Sequence, residues 1–386
     1  MRSIINLSDP NPLYQQIERA LKTKIEKGEL KPGDQLGSQQ ELAIEYNVSL
    51  ITVKKALANL IKQGVLYSRV GKGTFVAEKS KAKKIGNANN KTIGLVLNDI
   101  NHSYFSMIVH SIEERAYELG FNILLSNSSG SIEKEESQID HFRQLGVDGL
   151  IIASLSGEYR ATEYLQKLHT ENFPYIMISY IHDPEYWYVG SDNELGGFIA
   201  TEHLIKTGYD TIGYVHVGKG NLLSEVRKNG YYRALMEHGK QFSSDYIYYL
   251  DSNKQDIASE RFQLGKDFCR TFAGLEKKPQ ALLFFEDMVA LGFIAEAKEN
   301  NMSIPDNVAV VGYDDVHISR YTSVPLTTVH QPIDSIGKLA VEIIQKRIDH
   351  SDIGNRTVLK PTLVIRESCG SKKKGKTEIK NLSNTK

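Results

Sequence analysis

The sequence predicts an α/β protein in two parts: a small N-terminal winged helix-turn-helix unit and a large core of parallel sheet flanked by helices. Three observations lead there. Residues 1–76 show helical hydrophobic spacing and then a short glycine-containing hairpin. From residue 92 onward strand-like and helix-like segments alternate, the pattern of a parallel sheet with helices on both faces. Charge divides along the same line: residues 1–84 hold 15 Lys and Arg against 8 Asp and Glu, a net +7, so in a chain of zero formal charge the remainder carries −7. A basic head on an acidic body suits a polyanion partner for the head, although a solvated basic surface has the same composition.

The head reads in order. "PLYQQIERALKTKIEKGEL" places Leu13, Ile17, Ala20, Leu21 and Ile25 at helical spacing, with Pro12 suited to the first position and Gly28 as a stop. In "SQQELAIEYN", Ser38 and Glu41 form a capping-box pattern that opens a short second helix. In "NVSLITVKKALANLIKQG", Ser49 is a cap, and Val53, Ala56, Leu57, Leu60 and Ile61 make one stripe predicted to be buried. Counted round that helix, Leu50 falls at the edge of the stripe, and Ile51, Lys55, Ala58 and Lys62 point most directly away. "VLYSR" and "GTFVA" then flank "VGKG" as a hairpin. Three helices and a hairpin are the order of a winged helix.

Residues 77–91 lose apolar periodicity and read as a linker. The core follows: "TIGLVLN", "FNILLSN", "VDGLIIAS", "YIMIS", "TIGYVHV", "ALLFFED" and "VAVVGYDD" are buried strands, with helices at Ser103 to Leu119 and Ile132 to Leu145 among the segments between them. The large core is assigned to 92–370, and 371–386, ending "GKTEIKNLSNTK", to a disordered basic tail. At 386 residues the chain is long enough for a small domain plus a large one.

"MRSIINLSDP" lacks the apolar core of a secretion signal, and no run approaches the ~20 apolar residues of a membrane span. A cytoplasmic protein with no membrane partner is the expectation. Cys269 and Cys369 are far apart and form no CxxC, so no metal is expected. "VGKGT" is not a phosphate loop, because no glycine stands five residues before Gly71 and Gly73 follows Lys72. No G-x-S-x-G elbow, H-E-x-x-H or Cys/His cluster occurs, so no catalytic residue and no cofactor are assigned.

On "G-x-L-x-P-G-D-x-L", "S-x-x-E-L-A", "V-S-x-x-T-V" and "G-x-G-T-F-V" together, residues 1–76 resemble the DNA-binding domain of the GntR family. On "VDGLI", "VGSDNELGG", "HLIKTGYDTIGYV", "VRKNGYYRAL", "IPDNVAVVGYDDV" and "PLTTVHQP", residues 92–368 resemble the effector core of the LacI/GalR family, itself similar to two-lobed periplasmic sugar-binding proteins. A GntR-type head on a LacI-type core is the arrangement of the AraR-like arabinose repressors.

For the head, the resemblance implies a recognition helix in the major groove. Relatives commonly carry arginines where this chain has Gln40, Leu50 and Lys54. Ser38, Gln39, Gln40, Ser49, Leu50, Thr52, Lys54, Lys55, Arg69, Lys72 and Gly73 are the candidate DNA contacts: Gln suits adenine edges, Lys and Arg suit guanine or phosphate, and Gly71 and Gly73 let the hairpin tip enter a groove. Leu50 either packs on the second helix or meets thymine methyls.

For the core, the resemblance implies a ligand cleft between lobes at the carboxyl ends of strands. Arg227 matches an arginine that clamps the effector, and Asp287 matches a carboxylate that takes ligand hydroxyls, preceded here by Glu286 where relatives have Asn. Asp192 either flanks the cleft or caps the helix from Asn193. Tyr104 and Phe105 match aromatics that face the ligand, though first-turn packing also explains them, and Trp187 is placed near the same crevice. His330, in "TTVHQP", is read as a hinge residue. The function implied is a homodimeric repressor of carbohydrate uptake or catabolic genes, binding operator DNA under control of a small sugar. A purine-like corepressor and a transport-type sugar-binding protein are the alternatives.

Overall fold

The computed structural model describes residues 12–62, 65–69, 73–77, 91–100, 103–153, 162–178, 180–218, 221–250, 258–351 and 354–371. The chain divides into two compact units, Met1–Lys84 and Ile85–Lys386. Most of the segment read as a linker (78–90) and nearly all of the tail (372–386) lie outside the described residues, as do Gly71 and Lys72.

The first unit contains α1 (Leu13–Glu26), α2 (Gln39–Glu45), α3 (Leu50–Lys62), β1 (Leu66–Arg69) and β2 (Gly73–Val76). Its core is the predicted stripe: Ile17 and Leu21 from α1, Leu42 from α2, and Val53, Ala56, Leu57 and Leu60 from α3 are buried, closed off by Leu66 and Val76 of the hairpin. At ~1.5–3 kcal/mol per buried aliphatic side chain this stripe is what holds three short helices together. Ile61 departs from expectation; it is 37 % exposed, because the stripe drifts off its position by the last turn of α3. The capping box on α2 is present, with the Glu41 amide donating to Ser38 Oγ (3.2 Å) and the Ser38 amide donating to Glu41 Oε2 (2.7 Å). β1 and β2 pair antiparallel, Leu66 opposite Val76 and Arg69 opposite Gly73.

The second unit is two α/β lobes. The first lobe is built from β3 (Thr92–Leu97), α4 (Ser103–Glu118), β4 (Asn122–Asn127), α5 (Ile132–Leu145), β5 (Gly149–Ile152), α6 (Glu163–Thr170), β6 (Tyr175–Met177) and β7 (Tyr188–Ser191). The chain then crosses to the second lobe: α7 (Asn193–Lys206), β8 (Ile212–Val217), α8 (Leu222–Glu237), β9 (Ile247–Leu250), α9 (Ala258–Ala273), β10 (Ala281–Phe284), α10 (Asp287–Glu299), β11 (Ala309–Tyr313) and β12 (Thr327–His330). α11 (Ile333–Ile348) and β13 (Arg356–Leu359) return to the first lobe, and β14 (Thr362–Val364) goes back to the second.

Among the described residues each lobe has a six-stranded sheet, ordered β13-β7-β6-β5-β3-β4 and β14-β12-β11-β10-β8-β9. The pairings are parallel, as expected, except β12 with β14, where the last crossing enters the second sheet in the opposite direction. Central strands β3, β5, β10 and β11 are buried throughout, as continuous apolar runs covered on both faces should be. α11 belongs to the first lobe because Ile336, Ala340, Val341 and Ile344 pack with Ile108 and Ile112 of α4. Three segments thus connect the lobes: β7 to α7, β12 to α11, and β13 to β14.

Candidate functional site: an interlobe pocket and a base-reading helix

The strand ends of the two sheets face a cavity of about 90 Å³. From the first lobe come Asn98, just after β3, Tyr104 and Phe105 in the first turn of α4, and Tyr180 and Tyr188. From the second come Asn221, Arg227, Arg261, Glu286, Asp314 and Gln331. Asn98, Glu286, Asp314 and Gln331 each stand at or just beyond the carboxyl end of a strand (β3, β10, β11, β12), where open α/β sheets bind ligands.

Arg227 is the hub. It projects from α8 and is 4 % exposed. Its Nε donates to Asn193 Oδ1 (3.0 Å), its Nη1 donates to the Phe285 carbonyl (2.6 Å), and its Nη2 lies 3.5 Å from Asp314 Oδ1. The guanidinium lies 3.6 Å from the Tyr313 ring centroid. This planar group thus ties the β7–α7 crossing to the ends of β10 and β11. Gln331 Nε2 donates to the same Asp314 Oδ1 (2.7 Å). Arg261 Nε and Glu286 Oε1, both nearly buried, are 3.5 Å apart. The pocket therefore offers two guanidinium groups and two carboxylates, balanced in charge. Tyr104 and Phe105 meet edge to face (centroids 5.3 Å, 83°). Burial, then the Asp314 carboxylate, push the Tyr104 phenol up, so it stays a neutral hydroxyl donor.

Of the six effector residues expected from sequence, Tyr104, Phe105 and Arg227 line this cavity. The other three do not, each for a physical reason. Asp192 caps α7, accepting the Leu195 amide at 2.9 Å, which was the other role open to it. Trp187 is a core residue: its ring stacks 4.7 Å from Tyr175 and 3.6 Å from the Arg347 guanidinium, and its Nε1 donates to Asn355. Asp287 is fully buried beneath the pocket, its Oδ2 accepting the Val316 amide (2.9 Å) and its Oδ1 the Thr328 hydroxyl (2.6 Å). It fastens the turn after β11, where Asp314 and Asp315 both adopt positive φ (106° and 52°), to β12. A Cβ at Gly312 would sit 2.1 Å from Asp287 Oδ1, so glycine is what lets the carboxylate approach. His330 ends β12 at a lobe crossing, its Nδ1 3.0 Å from Asp315 Oδ2. Burial opposes the Asp315 charge, but His330 and Arg366 together hold its carboxyl below the usual range.

Burial, then the Asp314 carboxylate, push the Asp287 carboxyl well above the usual range, against the Thr328 hydroxyl and the Val316 amide. The sign follows: a carboxyl with a raised folded-state pKa costs nothing below the unfolded value of about 4 and costs stability as pH rises from there through the folded pKa. The wild type is expected to lose stability over that window relative to Asp287→Asn. Urea midpoints at successive pH values check this, and parallel curves for the two proteins would contradict it.

Sequence reasoning missed Asn98, Asn221, Glu286, Asp314 and Gln331 as pocket residues, although the strand-end rule points at four of them. Arg261 had no signal; it sits within α9, and only the packing of α9 on α10 brings it to Glu286.

In the head, Ser38, Gln39, Arg69 and Gly73 line a hollow between the first turn of α2 and the hairpin, and Gln40 is exposed beside it. Lys54 is exposed on α3, whereas Lys55 is held over the Tyr14 ring (4.1 Å). Arg69 stacks near Tyr67 and Phe75 (5.4 and 5.8 Å). Ser49 Oγ accepts the Thr52 amide (3.2 Å) and lies 2.8 Å from Thr52 Oγ1, so the cap on α3 is formed. Leu50 is 38 % exposed, so part of its side chain is open to a partner, and packing on the second helix and contact with thymine methyls both remain open. Lys72 lies outside the described residues.

Residues 13–76 match the family of bacterial regulatory proteins called gntR, and residues 201–369 match the periplasmic binding protein-like domain. An arabinose metabolism transcriptional repressor of Geobacillus stearothermophilus is 29 % identical over 92 % of this chain and 97 % of its own length. The HTH-type transcriptional repressor PurR of Actinobacillus pleuropneumoniae serotype 3 is 30 % identical over 72 % of this chain and 81 % of its own. Among solved structures, a LacI family transcriptional regulator from Enterococcus faecium with bound ribose superposes with a TM-score of 0.62 at 25 % identity, covering 72 % of this chain and 98 % of that one. With the DNA-binding head, the two-lobed core and the interlobe pocket in place, the chain belongs to the family of ligand-responsive transcriptional repressors, joining a gntR-type head to a periplasmic-binding-protein-like core.

Proposed function

We propose that this protein is a cytoplasmic, homodimeric repressor of carbohydrate uptake or catabolic genes, and that a small sugar in the interlobe pocket changes its affinity for operator DNA. The observation that carries the reading is the pocket's composition. Two guanidinium groups, two carboxylates and several side-chain amides answer several hydroxyls at once, and aromatic faces take ring C–H groups, with no net charge to favour an ion. Its volume of about 90 Å³ is well under the roughly 300–1,000 Å³ of sites for drug-sized ligands and suits one small ring. The arabinose repressors among the relatives and the ribose-bound neighbour support a monosaccharide. The PurR relatives support the second reading, a purine base against Tyr104 and Phe105. In either case the protein binds its small molecule without turning it over. The effector contacts are Tyr104, Phe105 and Arg227, with Asp287 holding the turn that carries Asp314.

The units act as 1–76, a DNA-binding head; 77–91, a linker; 92–370, the effector and dimerisation core; and 371–386, a basic tail. Ser38, Gln39, Gln40, Ser49, Leu50, Thr52, Lys54, Lys55, Arg69, Lys72 and Gly73 form the DNA face. Lobe closure is the two-state element, and the sugar shifts it only by the difference in its affinity for the two states.

A thermal-shift screen of pentoses, hexoses and nucleobases tests the sensor. A ligand at 100 times its Kd is expected to stabilise the core by about 2.7 kcal/mol. Promoter fragments titrated at rising salt test the head: six to ten phosphate contacts predict a loss of about 10³–10⁵ in affinity between roughly 50 and 200 mM salt. A flat salt response, or a shift from a nucleobase and from no sugar, would overturn the respective half of the reading.

A further inference from the structure

The outward atoms of the first turn of α3 are carbon. Ile51 is 78 % exposed and Leu50 38 %, whereas Val53, Ala56, Leu57 and Leu60 on the other face are buried. The hydroxyls in that turn are engaged with one another: Ser49 Oγ accepts the Thr52 amide and lies 2.8 Å from Thr52 Oγ1. Lys55, next along the exposed face, is held over Tyr14. What the helix end offers a partner is two branched aliphatic side chains with Lys54 beyond them. A lone exposed aliphatic residue needs no explanation. Two adjacent ones, leading the helix that the basic N-terminal unit, net +7 over residues 1–84, presents to a polyanion, do.

We propose that Leu50 and Ile51 read the 5-methyl groups of thymine in the major groove, so that the operator half-site carries thymine opposite the first turn of α3. The proposal rests on the reading of α3 as the DNA-contacting helix. Thymine is the base that shows a methyl group in that groove, and guanine, read through its N7 and O6 acceptors, needs a donor that neither Leu nor Ile has. Burying one methyl against an aliphatic side chain is worth about fourfold in affinity. Methyl contact is thus weaker per base than a bidentate arginine, and Gln39, Gln40 and Lys54 supply the polar part of the readout.

The experiment is selection of binding sites from random duplex DNA with the full-length protein, followed by deoxyuridine replacement of each thymine in the selected half-site. Uracil keeps every hydrogen-bonding group of thymine and lacks only the methyl. One or two positions are expected to weaken binding about fourfold per methyl, with the sensitivity lost in Leu50→Ala/Ile51→Ala. Ile51 is largely exposed and Leu50 more than a third, so the double variant should melt close to the wild type, and the uracil series needs no variant at all. Leu50→Arg should move the selected base at the facing position toward guanine. Deoxyuridine binding as well as thymidine everywhere, methyl sensitivity surviving in the double alanine variant, or an unchanged half-site for Leu50→Arg each overturns the proposal. Failure to select any DNA overturns it too, but through the DNA reading of the head rather than through the methyl contact.

Discussion

Arg227→Ala is expected to abolish the thermal shift given by the effector and to cost the core about 3–5 kcal/mol of its own stability, the usual penalty for removing one partner from a buried charge network. The alanine leaves Asp314, 5 % exposed, with Gln331 but without its guanidinium, and leaves the Phe285 carbonyl and Asn193 each short of a donor. Loss of ligand response in such a variant is ambiguous by itself, since a loosened core binds poorly for trivial reasons. Arg227→Met combined with Asp314→Asn resolves this. Removing both charges together takes away the uncompensated carboxylate, so much of the lost stability should return, while the effector response stays absent. Denaturant midpoints with and without effector, measured for the wild type, the single and the double variant, separate the stability loss from the loss of effector response. A double variant that still answers the effector would remove Arg227 from the ligand-binding set.

How far the site was readable in the sequence follows from where each residue stands on its element. Arg227 and Tyr104 lie in motif stretches, "VRKNGYYRAL" and "NHSYF", and both reach the pocket. Asp287 was drawn to the pocket by its match to a family carboxylate and its place after a strand, neither of which decides which side of a helix N-terminus a side chain faces. Glu286, immediately before α10, lines the cavity, while Asp287, its first residue, turns down toward Thr328. Trp187, immediately before β7, shows the same limit; this short strand has almost no periodic signal, so the sequence could not say which face its neighbours present. Buried strands such as "ALLFF" and "VAVVGY" were legible because a continuous apolar run has few other uses. The edge strands β9, β13 and β14 were not, because a half-exposed strand of three or four residues carries too few positions to show an alternation.

Gly230→Ala should lower the melting temperature of the core by several degrees, although alanine is the better helix former. α7 and α8 cross at reciprocal glycines. A Cβ at Gly230 would lie 1.9 Å from the Glu194 carbonyl oxygen and 2.6 Å from the Phe198 amide nitrogen, and a Cβ at Gly197 would lie 2.0 Å from the Arg227 carbonyl oxygen. These neighbours are backbone and cannot rotate aside, so the helices must separate. Helix propensity returns up to about 1 kcal/mol, whereas overpacking a rigid contact costs about 1–3 kcal/mol and occasionally more; packing wins. Because the contact is backbone and very close, the cost falls at the upper end, a net loss of about 2 kcal/mol, and at roughly 2–4 °C per kcal/mol for a domain of this size the expected fall is about 4–8 °C. The same two helices carry Asn193 and Arg227, whose 3.0 Å hydrogen bond lengthens as they part, so the effector shift should shrink in the same variant. Gly274→Ala is the control: its Cβ would meet only the Thr271 carbonyl, at 3.6 Å, an ordinary contact. Scanning calorimetry of the two variants separates a crowded crossing from a general intolerance of alanine. Equal melting temperatures would mean that the crossing has slack, and the pocket would then have to owe its geometry to something other than the close approach of α7 and α8.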